Sequence, residues 1–351
     1  MARLRQNTAT SEPMATAVII VTYCNNMDIT ECLEAISDQA GSGDLGVFVV
    51  ENGGPAAFDA LAETLAAPGG PCIEAASSKL ANLASPGGCH LRCVELVTRR
   101  GDWPVAVAEA PENLGYGGGI NSWLERLRPY PEWDGFWILN ADTMPEPKAL
   151  SAFKAACVMH GCGMAGSTIV DFKCRDKVLT RGLLWRRWRG GAVHIDRGKH
   201  ISDPVAPGGA KAIDSPSGAS IYVTRACIAQ IGYPREDYFL YFEDLEWGMR
   251  AKSAGLLTRA DDSVVPHKYG TTIGSAVSRK ERSRLAVFLD ARNSLLFVWR
   301  ADPGAIVWMI VRTLVRAGEY LFVGSVRNAM ATLAGMIAFF RGQTGRPHFV
   351  S

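Results

Sequence analysis

Residues 17–53 read AVIIVTYCNNMDITECLEAISDQAGSGDLGVFVVENG, and the order of patterns in this stretch sets the fold class. Ala17-Val-Ile-Ile-Val-Thr22 is a short apolar run rich in β-branched residues, the composition of a strand buried on both faces. Asp28-Ile-Thr-Glu31 has capping-box spacing, and Ile29, Leu33 and Ile36 follow at helical intervals. Gly46-Val-Phe-Val-Val50 is a second buried-type strand, closed by Glu51-Asn-Gly-Gly54. Strand, amphipathic helix and strand make a βαβ unit, whose crossover helix returns the chain to run parallel.

The same alternation continues outward. Val105-Ala-Val-Ala108 is a further strand, Asn113-Leu-Gly-Tyr-Gly-Gly-Gly-Ile-Asn121 leads into a helix, and Phe136-Trp-Ile-Leu139 runs into Asn140-Ala-Asp-Thr143. The pattern predicts an α/β chain with a mostly parallel sheet flanked by helices. In such sheets ligands bind beyond the carboxyl ends of the strands. Thr22, Glu51, Asn113 and Asp142 all fall at or just after strand ends, so they are expected to converge on one crevice. Residues 71–109 are long for one connection and predict a surface insertion or an extra hairpin.

Composition narrows the class. Of 351 residues, 48% are hydrophobic and 21% charged, ordinary globular usage that excludes a disordered or fibrous chain. The longest charge-free run, 155–170, contains His, Gly and Ser and does not read as a spanning helix. Residues 1–14 are polar, lack a secretory signal's apolar stretch and read as a flexible N-terminus. Nine cysteines, an odd number with no CxxC pair, fit reduced thiols in the cytoplasm.

The net charge of +2 conceals an asymmetry: residues 173–199 hold nine basic and two acidic residues, and 279–346 hold eleven and four. These segments face either solvent or an anionic partner, a phosphate-bearing molecule or a membrane surface. No nucleic-acid module is recognisable, so no nucleic-acid partner is expected.

Several residues carry candidate chemistry. Gly115-Tyr-Gly-Gly-Gly119 is not a dinucleotide fingerprint, which belongs after the first strand, where the chain reads Thr22-Tyr-Cys-Asn-Asn. It is either a tight turn or a place where backbone N–H groups approach a diphosphate. Asp142 is either a turn residue or a carboxylate for Mg²⁺ or Mn²⁺, hard cations that take oxygen ligands. In Tyr238-Phe-Leu-Tyr-Phe-Glu-Asp-Leu-Glu-Trp247, Glu243 and Asp244 follow an aromatic run at a helix start. Apolar neighbours raise a carboxylate's pKa toward values useful for proton abstraction. Glu246 and Arg250 have the spacing of a helix-surface ion pair. His267 either is structural or completes a metal site begun by a carboxylate. Further on, Ile306, Ile310, Leu314, Ala317 and Leu321 recur at helical spacing while Arg312, Arg316 and Glu319 point elsewhere. That region is expected to pack on the catalytic domain or a second subunit, or to offer a basic surface to anionic lipid.

In this order the motifs resemble the family 2 inverting glycosyltransferases of GT-A fold. They look most like the bacterial branch with rhamnosyl- and galactofuranosyl-transferases of surface polysaccharide assembly. The carrying residues are Val18-Ile-Ile-Val-Thr-Tyr23, Val49-Val-Glu-Asn-Gly53, Asn113 to Asn121, Leu139-Asn-Ala-Asp-Thr143, Gly218-Ala-Ser-Ile-Tyr222, Phe239-Leu-Tyr-Phe-Glu-Asp244, His267 and Arg292-Asn293. The resemblance spans 15–345. It implies a GT-A catalytic domain over 15–278, a Rossmann-like mixed sheet flanked by helices, and a C-terminal helical region over 279–351.

It also implies metal-dependent transfer of a sugar from a UDP- or dTDP-sugar to a hydroxyl of a glycan or polyprenyl-diphosphate-linked acceptor. The implied location is the cytoplasm or the inner face of the cytoplasmic membrane, with a homo-oligomer as one arrangement. Thr22, Tyr23 and Glu51 would hold base and ribose; Asn113, Gly115, Gly118, Asn121 and Asn140 would line the donor pocket. Asp142 takes the last position of the family's DxD-type metal motif, with His267 completing the site for Mg²⁺ or Mn²⁺. Asp244, paired with Glu243, would be the general base, and Tyr241, Trp185 and Trp188 stand on the acceptor side. Two features depart from the family: Glu51 stands where Asp is common, and Asn140-Ala-Asp142 offers one carboxylate where other members have two or three. The alternatives are a non-catalytic GT-A-fold binding protein, a hydrolase of nucleotide sugars, and a sugar nucleotidyltransferase. The last would carry a glycine-rich, lysine-bearing loop after the first strand, which Thr22-Tyr-Cys-Asn lacks.

Overall fold

Strand β1 (Ala15–Thr22) is buried along almost its whole length, which is why it reads as an unbroken apolar run. The structure is a computed structural model that describes residues 15–39, 43–76, 80, 83, 88–205, 213–268 and 281–347. Helix α1 (Asn26–Ser37) begins earlier than the Asp28–Glu31 spacing predicts. Asn25 is the N-cap: the Asp28 N–H donates to Asn25 Oδ1 (3.4 Å) and Asn25 Nδ2 donates back to Asp28 Oδ2 (2.7 Å).

The chain continues through β2 (Leu45–Glu51), α2 (Pro55–Ala66), β3 (Cys72–Glu74), β4 (Arg92–Thr98), β5 (Pro104–Glu109), α3 (Gly115–Leu127), β6 (Trp133–Asn140), α4 (Ala149–His160) and β7 (Met164–Asp171). The second half adds β8 (Val178–Thr180), a hairpin of β9 (Leu183–Arg186) and β10 (Gly191–His194), then β11 (Ser220–Thr224), α5 (Arg225–Ile231), α6 (Glu243–Ser253) and β12 (Leu257–His267). Three helices follow: α7 (Arg284–Ala301), α8 (Ile306–Phe322) and α9 (Val326–Phe340).

The main sheet runs β12-β7-β11-β6-β1-β2-β5-β4-β3, with β8 beside β7. β6, β1, β2 and β5 are mutually parallel, while β11 is antiparallel to both β6 and β7, so the sheet is mixed. Strand order reverses at β1, with β2 on one side and β6 on the other. Such a switch point opens a crevice at the carboxyl edge. Residues 71–109 supply the antiparallel edge β3-β4-β5, the extra hairpin that the length of this stretch predicts.

Alternation along β1 sends its side chains into two cores. Val18 and Ile20 join Leu33, Phe58, Leu61 and Phe153 on one face, where α1, α2 and α4 lie. Ala17 and Ile19 join Trp123, Leu124, Ile228 and Trp247 on the other, under α3, α5 and α6. All nine cysteines are free thiols.

The C-terminal helices correct the sequence reading in their facing. α7 is mostly buried, and α9 approaches it so closely that a Cβ on Gly335 would lie 2.3 Å from Phe288 O. On α8 the buried stripe is Met309, Thr313, Ala317 and Tyr320, whereas Leu314 and Leu321 face solvent. Arg312 and Arg316 lie toward the protein, paired with Glu319 (3.1 Å) and Asp290 (2.8 Å). A helical period fixes which residues share a stripe but not which stripe turns inward. Glu246 and Arg250 do pair (2.9 Å), but Glu246 is buried and also takes Arg235 (3.2 Å), so the pair is internal.

Candidate active site

A cavity of about 480 Å³ opens at the carboxyl edge beside β1 and β6. Its wall includes Val21, Asn140, Asp142, Glu243, Asp244 and His267, and on the side of the C-terminal helices Arg282, Asp290 and Arg316. Asp142, Asp244 and His267, far apart in sequence, therefore meet around one space.

Asp142 and His267 come together because the chain leaving β6 crosses to β12, three places away in the sheet. Thr143 bridges His267, the Met144 N–H donates to Pro266 O (2.9 Å), and the Lys268 N–H donates to Asp142 O (3.0 Å). This places His267 Nε2 3.0 Å from Asp142 Oδ1, with both side chains buried. Lys268 then ties the site to α1 through Asp28 (2.6 Å) and Glu31 (2.8 Å). Asp142 and His267 are one oxygen and one nitrogen donor. Among the described residues no group of three or more His, Cys, Asp or Glu side chains forms a metal-ligand cluster.

Glu243 and Asp244 open α6. Asp244 Oδ2 accepts the Gly218 N–H (2.9 Å) and Oδ1 accepts the Leu245 N–H (2.8 Å). Glu243 is buried, and its Oε2 has no hydrogen-bond partner. Burial raises the pKa of both carboxyls, and the charge of Asp244 raises Glu243 further, while the N–H groups of Leu245 and Gly218 pull Asp244 back. Both shifts are upward, and the two backbone N–H groups favour the charged form at Asp244.

That asymmetry predicts a pH effect. A carboxyl whose folded-state pKa is raised binds its proton more tightly folded than unfolded, so its contribution to stability is lost as pH rises from the ordinary carboxylate range through neutrality. Glu243→Gln is expected to flatten that decline and to melt above the parent in mildly alkaline buffer. Thermal melts across pH check this, and a variant with the parent's pH slope would contradict it.

The segment feeding α6 is strained. Phe239, Tyr241 and Phe242 have φ of 65°, 69° and 75°, left-handed conformations that cost non-glycine residues about 1–3 kcal/mol each. α7 holds them in place. Asn293 Nδ2 reaches the carbonyls of Tyr238 (2.8 Å), Leu240 (2.8 Å) and Tyr241 (3.1 Å), and Arg292 Nη2 donates to Tyr238 O (3.0 Å). Both side chains are buried, flanked along α7 by buried Leu289, Leu295 and Leu296. That pattern, polar residues on a buried stripe, is the sequence signal for a positioning role that the reading left unassigned. Asn293→Leu takes this donor from the carbonyls of Leu240 and Tyr241, while Tyr238 O keeps Arg292, and is expected to cost about 2–3 kcal/mol, read as a loss of stability in denaturant melts.

The glycine run seats the same segment. Gly115 (φ 73°) lies against Phe239: a Cβ there would sit 2.2 Å from Phe239 O, to which the Tyr116 N–H donates (2.7 Å). Gly119 abuts Val21, where a Cβ would meet Cγ1 at 2.7 Å, and Gly118 packs beside Leu114 and Glu236. Asn121 Nδ2 donates to Pro234 O (2.9 Å) and Glu236 Oε1 (2.8 Å). Asn113 Oδ1 accepts the Gly115 N–H (3.0 Å). These residues turn toward protein; from this motif only Tyr116 lines the cavity, its hydroxyl donating to Gly218 O (2.7 Å).

Thr22 and Glu51 face each other in register at the ends of β1 and β2, buried and outside the cavity lining. Glu51 Oε1 accepts the N–H groups of Cys24 (3.0 Å) and Gly53 (2.6 Å), joining the loops after both strands, and burial raises its pKa. Tyr23, next in the chain, is exposed. Of the acceptor-side candidates, Tyr241 lines the cavity. Trp185 packs edge-on against Phe297 (4.7 Å between centroids) and lies outside the lining. Trp188, 71% exposed, packs against Trp308. Tyr116 lies in the Asn113–Asn121 loop that the resemblance sets at the donor pocket; Gly218, Arg282 and Arg316 have no site role in the sequence reading, because only the folded chain brings them to the carboxylates.

No protein-family model matches the chain, and no curated protein matches it in sequence. Among solved structures it is similar to residues 1–349 of TarS from S. aureus, at 15% identity and a TM-score of 0.50, over 94% of this chain and 81% of that one. The same protein in complex with UDP-GlcNAc is similar at 14% identity and a TM-score of 0.51, over 94% and 82%. A mannosyltransferase, PcManGT from Pyrobaculum calidifontis in complex with GDP-Man and Mn²⁺, aligns over 95% and 89% at 14% identity and a TM-score of 0.48. The two TarS likenesses show the fold: a GT-A-type mixed α/β sheet flanked by helices.

Proposed function

We propose that the chain is an inverting glycosyltransferase that moves a sugar from a nucleoside-diphosphate donor to a hydroxyl of a glycan or lipid-linked glycan. The carrying observation is that Asp142, His267 and Asp244 line one cavity at the switch point of a GT-A-type sheet. The motif order favours a cytoplasmic enzyme of surface polysaccharide assembly, close to the rhamnosyl- and galactofuranosyl-transferases. It disfavours a sugar nucleotidyltransferase, since Tyr23-Cys-Asn25 after β1 has neither glycine nor lysine.

In this reading the acceptor oxygen attacks the donor's anomeric carbon from the face opposite the diphosphate. The new C–O bond forms as the bond to the diphosphate oxygen breaks, and the hydroxyl proton passes to Asp244. Two backbone N–H groups favour the charged form of Asp244 that this step requires. Tyr241, with Glu243 beside Asp244, shapes the acceptor side. Thr22, Tyr23 and Glu51 serve the base and ribose, Glu51 by fixing both loops and Tyr23 by presenting its exposed ring. Asn113, Gly115, Gly118 and Asn121 serve the donor indirectly, by holding the backbone that frames the cavity, while Asn140 lines it.

Asp142 and His267 suit Mg²⁺ or Mn²⁺ as a hard oxygen and an imidazole, with donor diphosphate and water left to complete the shell. Asp142 and His267 would hold the cation, which would supply Lewis-acid neutralisation of charge on the leaving diphosphate.

A thermal-shift panel of UDP-, dTDP- and GDP-sugars with Mn²⁺ tests the reading. A ligand at a hundredfold excess over its Kd adds about 2.7 kcal/mol, a readily measured rise in Tm. Transfer is expected to stop in EDTA and to return with Mg²⁺ or Mn²⁺. A panel with no stabilising member would point to a non-catalytic protein of this fold, and indifference to chelator would remove the metal role of Asp142.

A further inference from the structure

Helices α8 and α9 turn apolar stripes toward solvent. On α8 these include Val307, Val311, Leu314, Val315 and Phe322; on α9 they are Val326, Met330, Leu333, Ile337 and Phe340, all exposed. The end of α8 and the turn after it extend them: Leu321-Phe-Val323 is exposed throughout, with Phe322 94% accessible. Surfaces left in water rarely keep such contiguous apolar stretches, so the surface calls for an occupant.

Its charges say which. Across 306–347 the one acidic residue is Glu319, paired with Arg312 on the inner side of α8 (3.1 Å); Arg316 also turns inward, to Asp290 (2.8 Å), and Arg346 pairs with Glu112 (3.4 Å), which leaves Arg327 and Arg341 as the exposed cations of this surface. At the start of α8, exposed Trp188 from the β9–β10 turn packs on Trp308 (5.9 Å between centroids), and Trp308 Nε1 donates to Trp188 O (3.2 Å). The same turn carries Arg186, Arg187 and Arg189, of which Arg187 pairs with Asp302 (3.0 Å). Apolar stripes, tryptophans and an arginine surplus together match the headgroup layer of an anionic bilayer. A two-fold contact with a second copy would set the exposed Arg327 and Arg341 against their own copies, with no uncommitted acid on α8 or α9 to receive them.

No described helix is long and apolar enough to cross a membrane, so the fit is to lying in the interface rather than spanning it. We propose that the outward surfaces of α8 and α9, their connecting turn and the β9–β10 turn dock the protein on an anionic lipid surface. The inner side of α8 contributes Arg316 to the cavity, and Gly190 of the β9–β10 turn lines it as well. Docking would therefore bring the cavity beside the bilayer. That consequence matters for a polyprenyl-diphosphate-linked acceptor, and it alone rests on the proposed function.

Co-sedimentation of the full chain with vesicles tests the docking. The chain is expected to pellet with phosphatidylcholine–phosphatidylglycerol vesicles and far less with phosphatidylcholine alone. Leu321→Ser combined with Phe322→Ser should weaken pelleting at least about tenfold, since both side chains leave the lipid. Arg327→Gln with Arg341→Gln should erase the preference for the anionic vesicles. All four positions are exposed, so each variant should keep the parent's Tm and donor-induced thermal shift. That separates loss of docking from failure of the transferase reading. Absence of pelleting with either vesicle overturns the proposal. So does a dimer in gel filtration that the Leu321/Phe322 variant dissolves while vesicle binding persists.

Discussion

Asp244→Asn is expected to lower sugar transfer by about 10²–10⁴-fold, the usual worth of a positioned general base, while donor binding survives. The substitution is close to isosteric and removes the ability to accept the acceptor's proton. It has a structural cost that can be read separately. Both oxygens of Asp244 accept backbone N–H groups, from Gly218 and Leu245, so an amide NH₂ must now oppose one of those donors. That mismatch costs about 1–3 kcal/mol and lowers the Tm without unfolding the chain. Initial rates with saturating donor, taken well below the variant's Tm, separate the two effects. A variant that transfers at the parent's rate removes Asp244 from the chemistry.

Gly115→Ala should cripple the site from a distance. Its φ of 73° already disfavours any side chain, and the new Cβ would lie 2.2 Å from the Phe239 carbonyl oxygen. Backbone cannot swing aside as a side chain can, so the segment before Glu243 must move. Strain and overpacking together are expected to cost about 3 kcal/mol or more. Transfer should fall with it, because Asp244 follows that segment. Gly161→Ala is the matched control: its φ is 60°, but nothing lies within 4 Å of the added Cβ, so only the backbone cost of about 1–2 kcal/mol remains. Equal destabilisation of the two variants would show that contact with Phe239 contributes nothing.

The fold was largely legible in residues 17–53, because a doubly buried strand announces itself as an apolar run and a crossover helix by its period. The site was legible in part. Asp142, His267 and Asp244 stand out as charged or titratable groups beside strand and helix ends, and they share one cavity. What stayed hidden depends on partners distant in sequence. The glycines of 115–119 read as a loop for phosphate, yet their neighbours are Phe239, Arg235, Glu236 and Val21. Asn121 read as a pocket residue, yet it clamps Pro234 and Glu236. Arg292 and Asn293 carried no assigned role until the carbonyls of Tyr238, Leu240 and Tyr241 were seen to need donors. α8 shows the limit of periodicity: the stripes are found, but the side that faces water is set by what α7 and α9 offer.

Calorimetric titration of the parent, Asp142→Ala and Asp244→Asn with the nucleotide sugar that stabilises the parent, in the presence of Mn²⁺, measures whether Asp142 builds the donor site. The parent and Asp244→Asn should bind that donor alike, and Asp142→Ala at least about tenfold more weakly, a loss of about 1.4 kcal/mol or more. Unchanged affinity in Asp142→Ala would contradict a donor site built around Asp142 and His267.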